Sequence, residues 1–417
     1  MQLVKKFKIF PTKEQLDVLW TLSENCRLIY NFALTERMET YANTGKSIGY
    51  IKQQNDLPKI KKHYPRYQQV HSKLLQMTLR TLDADYCSFI ALKKNGDVNV
   101  RPPKYKGKKH LITLKYNQSG FRLDDGVILL SHFINDIPLE FDMPLKFHHI
   151  LQVEIFKHNG QFWIAVIYDK EVPEYIDNKL YQAWDLGIKK QTGVNIEGKF
   201  IEVKNPRPDK YWRKSITGIQ SRRDHCIKGS RKWIYLNFLK RKCEKKQANQ
   251  LKDFQHKFTT KAVNNTKANT IVFGDLSVKK MAQSEKATPW MNRATQGTGF
   301  LGRIASFLTY KCEKVGKKGI ENDEYQTTKR CCCCGELHDM PVWKRVMKCD
   351  CGNILDRDRN STVNIMLDFL SQNALWTSYR QFVGNLRNTG LNIVSAHSQK
   401  VQRISGGQFT NGASRGM

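Results

Sequence analysis

The spacing of apolar and polar residues changes several times along this 417-residue chain, and each change predicts an element. Residues 2–9 alternate with period two and predict a strand, which Pro11 ends. Thr12 and Gln15 have the spacing of a helix capping box. Apolar residues then recur at helical spacing to about Tyr41, and a second helical region covers residues 55–94. The apolar residues of both regions predict a buried core.

Between residues 97 and 178 short runs with period two replace the helical spacing. They predict strands at 111–116, 127–130, 152–156 and 162–168, a recurrence typical of a small barrel or sandwich. We expect the N-terminal strand to complete this β domain, with residues 11–96 as a helical insertion between its strands. The loop at 101–110 is basic and contains Tyr105, a composition that suits contacts with phosphate and bases, although a solvated loop has the same composition.

A second domain is predicted from about residue 179. An apolar strand at 182–188 is interrupted by Asp185, and a hairpin with a Glu197-Gly198 turn follows it. Later elements are a strand at 269–275 that ends in Asp275, a helix at 298–315 and a short strand at 319–324. From residue 373 onward apolar residues become sparse, so we expect a mostly disordered tail over 373–417.

Charge points to a polyanionic partner. The chain has 70 Lys and Arg against 38 Asp and Glu, a formal net charge of +32. The excess is steepest in the helical pattern of residues 204–261, with 18 Lys and Arg against 4 Asp and Glu. Nucleic acid explains this best, and an anionic membrane surface is the second choice. The membrane interpretation is weaker because no apolar run approaches the ~20 residues of a spanning helix, so we expect a cytoplasmic protein and no membrane partner.

Six of the eleven cysteines fall between positions 331 and 351. Cys331, Cys334, Cys349 and Cys351 form two close pairs separated by 14 residues, and four thiolates in this pattern suit one tetrahedral structural Zn²⁺. Cys332 and Cys333 remain alternative ligands, because the second pair is one residue tighter than the usual spacing. A closed site of this kind holds shape or contacts nucleic acid rather than performing chemistry.

Three aspartates carry the candidate chemistry. Asp185 lies in a strand, Asp275 ends a later strand, and Asp358 opens a helix. Each alone is compatible with a structural role, such as a helix cap. In this order, with a hairpin after the first and a helix after the last, they match the RNase H-like arrangement of nucleases, in which three acids bind two Mg²⁺ ions ~3.5–4 Å apart for phosphodiester hydrolysis.

With these motifs in view, the chain resembles the TnpB family of transposon-encoded RNA-guided DNA endonucleases, relatives of the miniature type V CRISPR effectors. The last third carries the most specific similarity. The motifs are Trp184-Asp-Leu-Gly-Ile-Lys189, Gly274-Asp-Leu-Ser-Val-Lys-Lys-Met281, Thr327-Thr-Lys-Arg-Cys-x2-Cys-Gly335, Cys349-x-Cys-Gly352, and Asp356-Arg-Asp-Arg-Asn360 followed by Asn364-Ile365.

The resemblance implies a multidomain α/β plus β-barrel protein. Its expected parts are a wedge barrel (1–10 and 97–178), a helical recognition insert (11–96), a RuvC nuclease domain (179–326) with basic helices (205–263), a zinc knuckle (327–353) and a last RuvC segment (354–372). It also implies a guide RNA from the transposon end and a double-stranded DNA target beside a short flanking motif. Base pairing with the guide would read the target sequence, and the protein would read the flanking motif. We expect one protein monomer per guide RNA.

The resemblance maps catalytic acids onto Asp185 and Asp358, with Asp356 as the fallback for the latter and capping as its expected role. Relatives commonly carry a catalytic glutamate where this chain has Gly274. Either Asp275, one residue along, replaces it, which we favour, or the protein binds its target without cutting it. Because side chains alternate across a strand, the first hypothesis requires Asp275 to lie at a strand end or bulge.

A basic zinc-binding protein that binds nucleic acid without cleaving it is the alternative of a different class. Basic and aromatic residues are the candidates for nucleic-acid contact under either interpretation. They are Lys104, Tyr105, Lys106, Lys108, Arg222, Arg223, Arg231, Lys232, Lys240 and Arg241.

Overall fold

The fold is seen in a computed structural model that describes residues 1–108, 110–275, 301, 303–341 and 343–393. The chain divides into two compact units, Met1–Glu171 and Val172–Met417. Among the described residues, no helix is long and apolar enough to cross a membrane.

The N-terminal strand of the first unit joins strands that lie more than 100 residues later, as the sequence predicts. β1 pairs antiparallel with β7, with Leu3 opposite Tyr168. The strands are β1 (Gln2–Ile9), β2 (Leu114–Asn117), β3 (Phe121–Asp124), β4 (Val127–Leu130), β5 (Leu139–Asp142), β6 (Ile150–His158) and β7 (Gln161–Asp169). Asn159 and Gly160 both have positive φ and close the two-residue β6–β7 hairpin.

The expected small barrel differs in one respect. The described strands form two antiparallel sheets, ordered β1-β7-β6-β2 and β3-β4-β5, instead of one continuous closed ladder. The second sheet is built from strands of only four residues joined by short connections. Because each of these short strands pairs with the strand next to it along the chain, the three form their own sheet, separate from the longer one.

The helical insertion lies between β1 and β2. It contains α1 (Lys13–Thr44), α2 (Tyr50–His63) and α3 (Ser72–Lys94). The predicted capping box is present, because Thr12 Oγ1 accepts from Gln15 N at 3.2 Å and Gln15 Oε1 accepts from Thr12 N at 3.1 Å. Leu22 and Leu74 are fully buried in one core with strand residues such as Val153, so the insertion packs onto the sheet and is not a separate body.

The second unit is built on a five-stranded sheet ordered β10-β9-β8-β11-β12. β8 pairs antiparallel with β9 and parallel with β11, and β11 pairs parallel with β12. The strands are β8 (Tyr181–Leu186), β9 (Lys190–Asn195), β10 (Phe200–Lys204), β11 (Thr270–Asp275) and β12 (Lys318–Asp323). The predicted hairpin after the first strand is therefore confirmed, and β8 is the central strand.

Helices cover both faces of this sheet. The described helices of this unit are α4 (Pro208–Asp224), α5 (Arg231–Asn264), α6 (Ile304–Lys314), α7 (Arg357–Gln372) and α8 (Trp376–Asn388). α4 packs on α5, and the other four contribute to the cores on the two faces of the sheet. Trp184, Ile271 and Phe273 pack with α5 and α6, whereas Ala183 and Val272 pack with α7 and α8. Alternation along β8 and β11 thus assigns each position to one of two cores.

The C-terminal helix corrects the predicted tail. Residues 376–388 form α8, and its Phe382 and Leu386 are fully buried beside Phe369. These residues follow Tyr379 at spacings of three and four, so a small number of apolar residues forms one continuous buried stripe. The low number of apolar residues in this stretch did not reveal the stripe. Disorder remains a prediction only for residues 394–417, which lie outside the described residues.

Candidate active site

Asp185 is the one acidic residue in a strand that is otherwise buried. On β8, Trp184 and Leu186 pack into the core shared with α5 and α6, and Tyr181 and Ala183 pack into the core shared with α7. Alternation therefore directs Asp185 to the α7 face. The strand is apolar because both of its faces are covered, and the carboxyl stands at the end of the strand where α7 begins.

Asp358 reaches the same place from the first turn of α7. Asp356 is the N-cap of this helix, and its Oδ1 accepts from Asp358 N at 2.9 Å and from Arg359 N at 3.3 Å. The cap satisfies donors that would otherwise lack partners. The prediction that Asp356 caps the helix is confirmed, and the Asp358 carboxylate is left to face the sheet.

Asp185 and Asp358 interact electrostatically where α7 packs against β8. Burial raises the pKa of the Asp185 carboxyl to about 7, and the Asp358 carboxylate pushes that pKa in the same direction. A hydrogen bond with Ser361 of α7 lowers the Asp185 pKa, because it favours the ionised carboxylate. Two half-buried carboxyls that oppose each other's ionisation form a site that a divalent cation would stabilise.

Cationic side chains flank the pair. Lys190 Nζ lies 3.0 Å from Asp356 Oδ1, 3.0 Å from Glu202 Oε1 and 3.9 Å from Asp358 Oδ2. Arg345, from the cysteine-rich segment, forms an ion pair with Asp358. Sequence reasoning missed both cations and Ser361, although Lys190 lies next to the Trp184–Lys189 motif and Ser361 follows Asn360 directly. Lys190 lies far along the chain from Asp358, and Ser361 lies far from Asp185, so no local pattern records either contact.

Asp275 is the last residue of β11, paired in register with Asp323 of β12. Its backbone thus has the strand-end position that the sequence hypothesis requires. Its side chain lies outside the described residues, so its role as the third acid stays a prediction.

Four thiols from the cysteine-rich segment lie within 4.8 Å of one another: Cys331, Cys334, Cys349 and Cys351. These are the four predicted ligands. Gly335 and Gly352 follow the two pairs with φ of 83° and 87°, a conformation that favours glycine and turns the chain back at each pair. Four soft donors at this separation fit a tetrahedral Zn²⁺.

Cys332 and Cys333, the alternative ligands, are not part of this group of four. Both are buried in the core shared with α7. Cys332 N donates to Asn360 Oδ1 at 2.9 Å, and Asn353 Nδ2 donates to Cys331 Sγ at 3.3 Å. A second possible grouping, Glu336, His338 and Cys349, shares one thiol with the first, and its mixed donors suit zinc less well than four thiolates.

Two buried asparagines of α7 connect the cysteine-rich segment to the acids. Asn360 Nδ2 donates to Arg330 O at 2.8 Å, and Asn364 Nδ2 donates to Thr327 O at 2.8 Å and to Arg330 O at 2.7 Å. Since Asn360 lies two residues after Asp358, the fold of the cysteine-rich segment positions the helix that carries this acid.

The candidate nucleic-acid residues fall into two groups, one in each unit. Lys104, Tyr105, Lys106 and Lys108 are exposed in a loop that is fastened to α1, where Lys106 N donates to Asn31 Oδ1 at 2.8 Å. Arg222, Arg231, Lys232 and Arg241 are exposed on α4 and α5. Arg223 and Lys240 are half-buried and form ion pairs with Asp224 and Glu244, so they are the less available members of the group.

Two family models match parts of the chain. Residues 302–365 match the Cas12f1-like TNB domain, and residues 1–46 match the helix-turn-helix domain of the OrfB_IS605 type. In this chain the second match covers β1 and the single helix α1. A putative RNA-guided DNA endonuclease of Streptomyces pristinaespiralis is 25% identical over 90% of this chain and 92% of its own length. TnpB-like protein L79 of Acanthamoeba polyphaga mimivirus is 32% identical over 30% of this chain and 24% of its own.

By these matches the chain is similar to proteins of the TnpB family. Its fold is also similar to that of Cas12f1 in a complex with single-guide RNA and target DNA, with a TM-score of 0.54, 12% identity, and coverage of 85% of this chain and 83% of that one. The segment matched by the Cas12f1-like TNB domain, residues 302–365, contains Asp358 and the four thiols. Asp358 lies in the second unit at the end of the sheet where Asp185 stands.

Proposed function

We propose that this protein is an RNA-guided DNA endonuclease of an insertion sequence that cleaves its target by metal-dependent phosphodiester hydrolysis. One observation carries the proposal: Asp185 lies on the face of the central strand that α7 covers, and Asp358, in the first turn of α7, interacts with it electrostatically. The full-length similarity to a putative RNA-guided DNA endonuclease supports it.

Asp185 and Asp358 are the residues that would hold Mg²⁺, and Asp275 is the third acid predicted from sequence. Mg²⁺ held by these carboxylates would supply an activated water and charge stabilisation at the leaving oxygen. Ser361 orients Asp185 through its hydrogen bond, and the cap at Asp356 keeps the first turn of α7 in place. Lys190 and Arg345 form ion pairs with Asp358.

The exposed basic residues of both units are the proposed contacts to guide RNA and DNA backbones. The net charge of +32 and the exposure of Lys104, Lys108, Arg231 and Lys232 support this role. Guide pairing would supply sequence specificity, and the protein would read backbone shape and a short flanking motif. The four-thiol cluster is proposed as a structural Zn²⁺ site that stabilises the segment leading to α7.

The decisive experiment uses the protein purified with its copurifying RNA. We expect wild-type protein with Mg²⁺ to cut DNA that carries the guide-matched sequence and flanking motif. Asp185→Ala should lower cleavage at least ~100-fold and leave DNA binding unchanged, because the exposed basic residues remain. Asp142→Ala, at an exposed position on β5, is the matched control and should cut normally.

The contrasting candidate is a zinc-binding nucleic-acid-binding protein without nuclease activity. It predicts that wild-type protein binds guide-matched DNA but leaves it intact at every Mg²⁺ and Mn²⁺ concentration. That result would refute the endonuclease proposal.

A further inference from the structure

Gly274 is the residue of β11 beside the candidate acids, and another side chain occupies the space that its own would fill. A Cβ built on Gly274 would overlap the carboxyl group of Glu324. Glu324 follows directly after β12 and is half-buried. The carboxylate of Glu324 therefore stands over β11 at position 274.

The register places this point next to Asp185. Phe273 of β11 pairs in parallel with Trp184 of β8, so Gly274 lies one step further along, beside Asp185, on a strand ~4.8 Å away. Val272 belongs to the core shared with α7, and alternation assigns position 274 to that same face. Asp185, Asp358 and the Glu324 carboxylate thus share one face at one end of the sheet.

Hydrogen bonds fix the chain around Glu324. Thr327 N and Thr327 Oγ1 both donate to Glu324 O, at 3.2 and 3.1 Å. Thr327 Oγ1 also lies 3.1 Å from Ser361 Oγ, and Ser361 is the hydrogen-bond partner of Asp185. The turn that presents Glu324 is therefore tied to the helix and to the hydroxyl that position the other acids.

We propose that Glu324 is the third metal-binding carboxylate of the site, supplied from β12 because β11 carries glycine at the adjoining position. The inference rests on the proposed nuclease function. It assigns the role to a residue that sequence reasoning did not consider, in place of Asp275. It also explains why position 274 is glycine: any side chain there would displace the carboxylate.

Glu324→Gln keeps the shape of the side chain and removes its charge. We expect it to lower target cleavage by the guide-loaded protein at least ~100-fold, with DNA binding and the melting temperature unchanged. Mn²⁺ binding, followed by electron paramagnetic resonance, should weaken at least ~10-fold. Glu321→Gln, at an exposed position on β12, is the matched control and should retain both cleavage and Mn²⁺ binding.

A relocation experiment tests the geometry directly. Gly274→Ala alone should reduce cleavage, because its methyl group would displace the Glu324 carboxylate. Glu324→Gly alone should be inactive, and the double variant Gly274→Glu/Glu324→Gly should recover cleavage and Mn²⁺ binding, since the new side chain would fill the vacated space from the neighbouring strand. Recovery in the double variant would show that a carboxylate at this point is required and that its strand of origin is not.

Two outcomes would overturn the assignment. One is a Glu324→Gln protein that cuts DNA and binds Mn²⁺ like wild type. The other is loss of both properties in Asp275→Asn together with their retention in Glu324→Gln. If wild-type protein binds but never cuts, the proposed function fails, and the Mn²⁺ titration still decides whether Glu324 is a ligand.

Discussion

Replacing Asp185 with Asn should stabilise the Mg²⁺-free protein at high pH. The pKa of Asp185 is raised to about 7 by burial and by Asp358, whereas an unfolded aspartate has a pKa of about 3.9. The folded state therefore holds the proton more tightly than the unfolded chain. The contribution of Asp185 to the free energy of unfolding is near zero below about pH 4. It becomes increasingly destabilising as the pH rises to about 7 and is constant above that.

Three pKa units at 1.36 kcal/mol each set a ceiling of about 4 kcal/mol for this penalty. About 1.5 kcal/mol of it is already present at pH 5, so the advantage of Asp185→Asn should grow by roughly 2–3 kcal/mol between pH 5 and pH 8. For a unit of this size that is roughly 4–12 °C in melting temperature. Saturating Mg²⁺ should reverse the order, because only the carboxylate binds the ion.

Thermal unfolding of both proteins from pH 5 to pH 8, after desalting to remove Mg²⁺ but not tightly bound zinc, measures the effect. Asp142→Asn, at an exposed aspartate, is the control and should show no pH-dependent difference from wild type. A gap between Asp185→Asn and wild type that is independent of pH would refute the reasoning, because it would mean that burial and Asp358 do not raise the pKa of Asp185.

Two further predictions concern parts of the second unit outside the acids. Phe382→Ala should lower the free energy of unfolding by roughly 3–5 kcal/mol, because Phe382 is fully buried in the core shared with α7. Urea unfolding measures this, with the exposed Arg380→Ala as the control. Equal stability of the two variants would contradict the packing of α8. Cys334→Ser should abolish zinc binding, because it removes one of the four clustered thiols. Cys332→Ser should keep one zinc per chain, as measured by mass spectrometry of the native protein. Zinc retained in Cys334→Ser and lost in Cys332→Ser would reverse the ligand assignment.

Several features of this protein were predictable because they are local. The capping box at Thr12, the strand with Asp185 and the cysteine pairs each depend on residues a few positions apart, and the structure forms all of them. The role of Asp356 as a cap belongs to the same class, since a cap and the amides that it accepts from are close in sequence. Local spacing was also enough to carry the resemblance to the TnpB family.

Local patterns failed where one side chain depends on a distant one. α8 is helical because Phe382 and Leu386 find a core built by α7 and the sheet, a gain that composition in that stretch does not reveal. The meeting of Asp185 with Asp358, 173 positions apart in the printed sequence, depends on α7 packing across β8. Ser361 and Lys190 join them only through that packing.

The sequence by itself determined the elements, the four thiols and two of the acids, because each is encoded by short-range spacing and residue chemistry. It also showed that position 274 carries no acid, and the search for a replacement went to the next residue along the chain. Only the tertiary structure showed that the Glu324 carboxylate, which follows the parallel neighbouring strand β12, lies over Gly274. Strand pairing sets that proximity through backbone hydrogen bonds between residues about 50 positions apart, which no local pattern records.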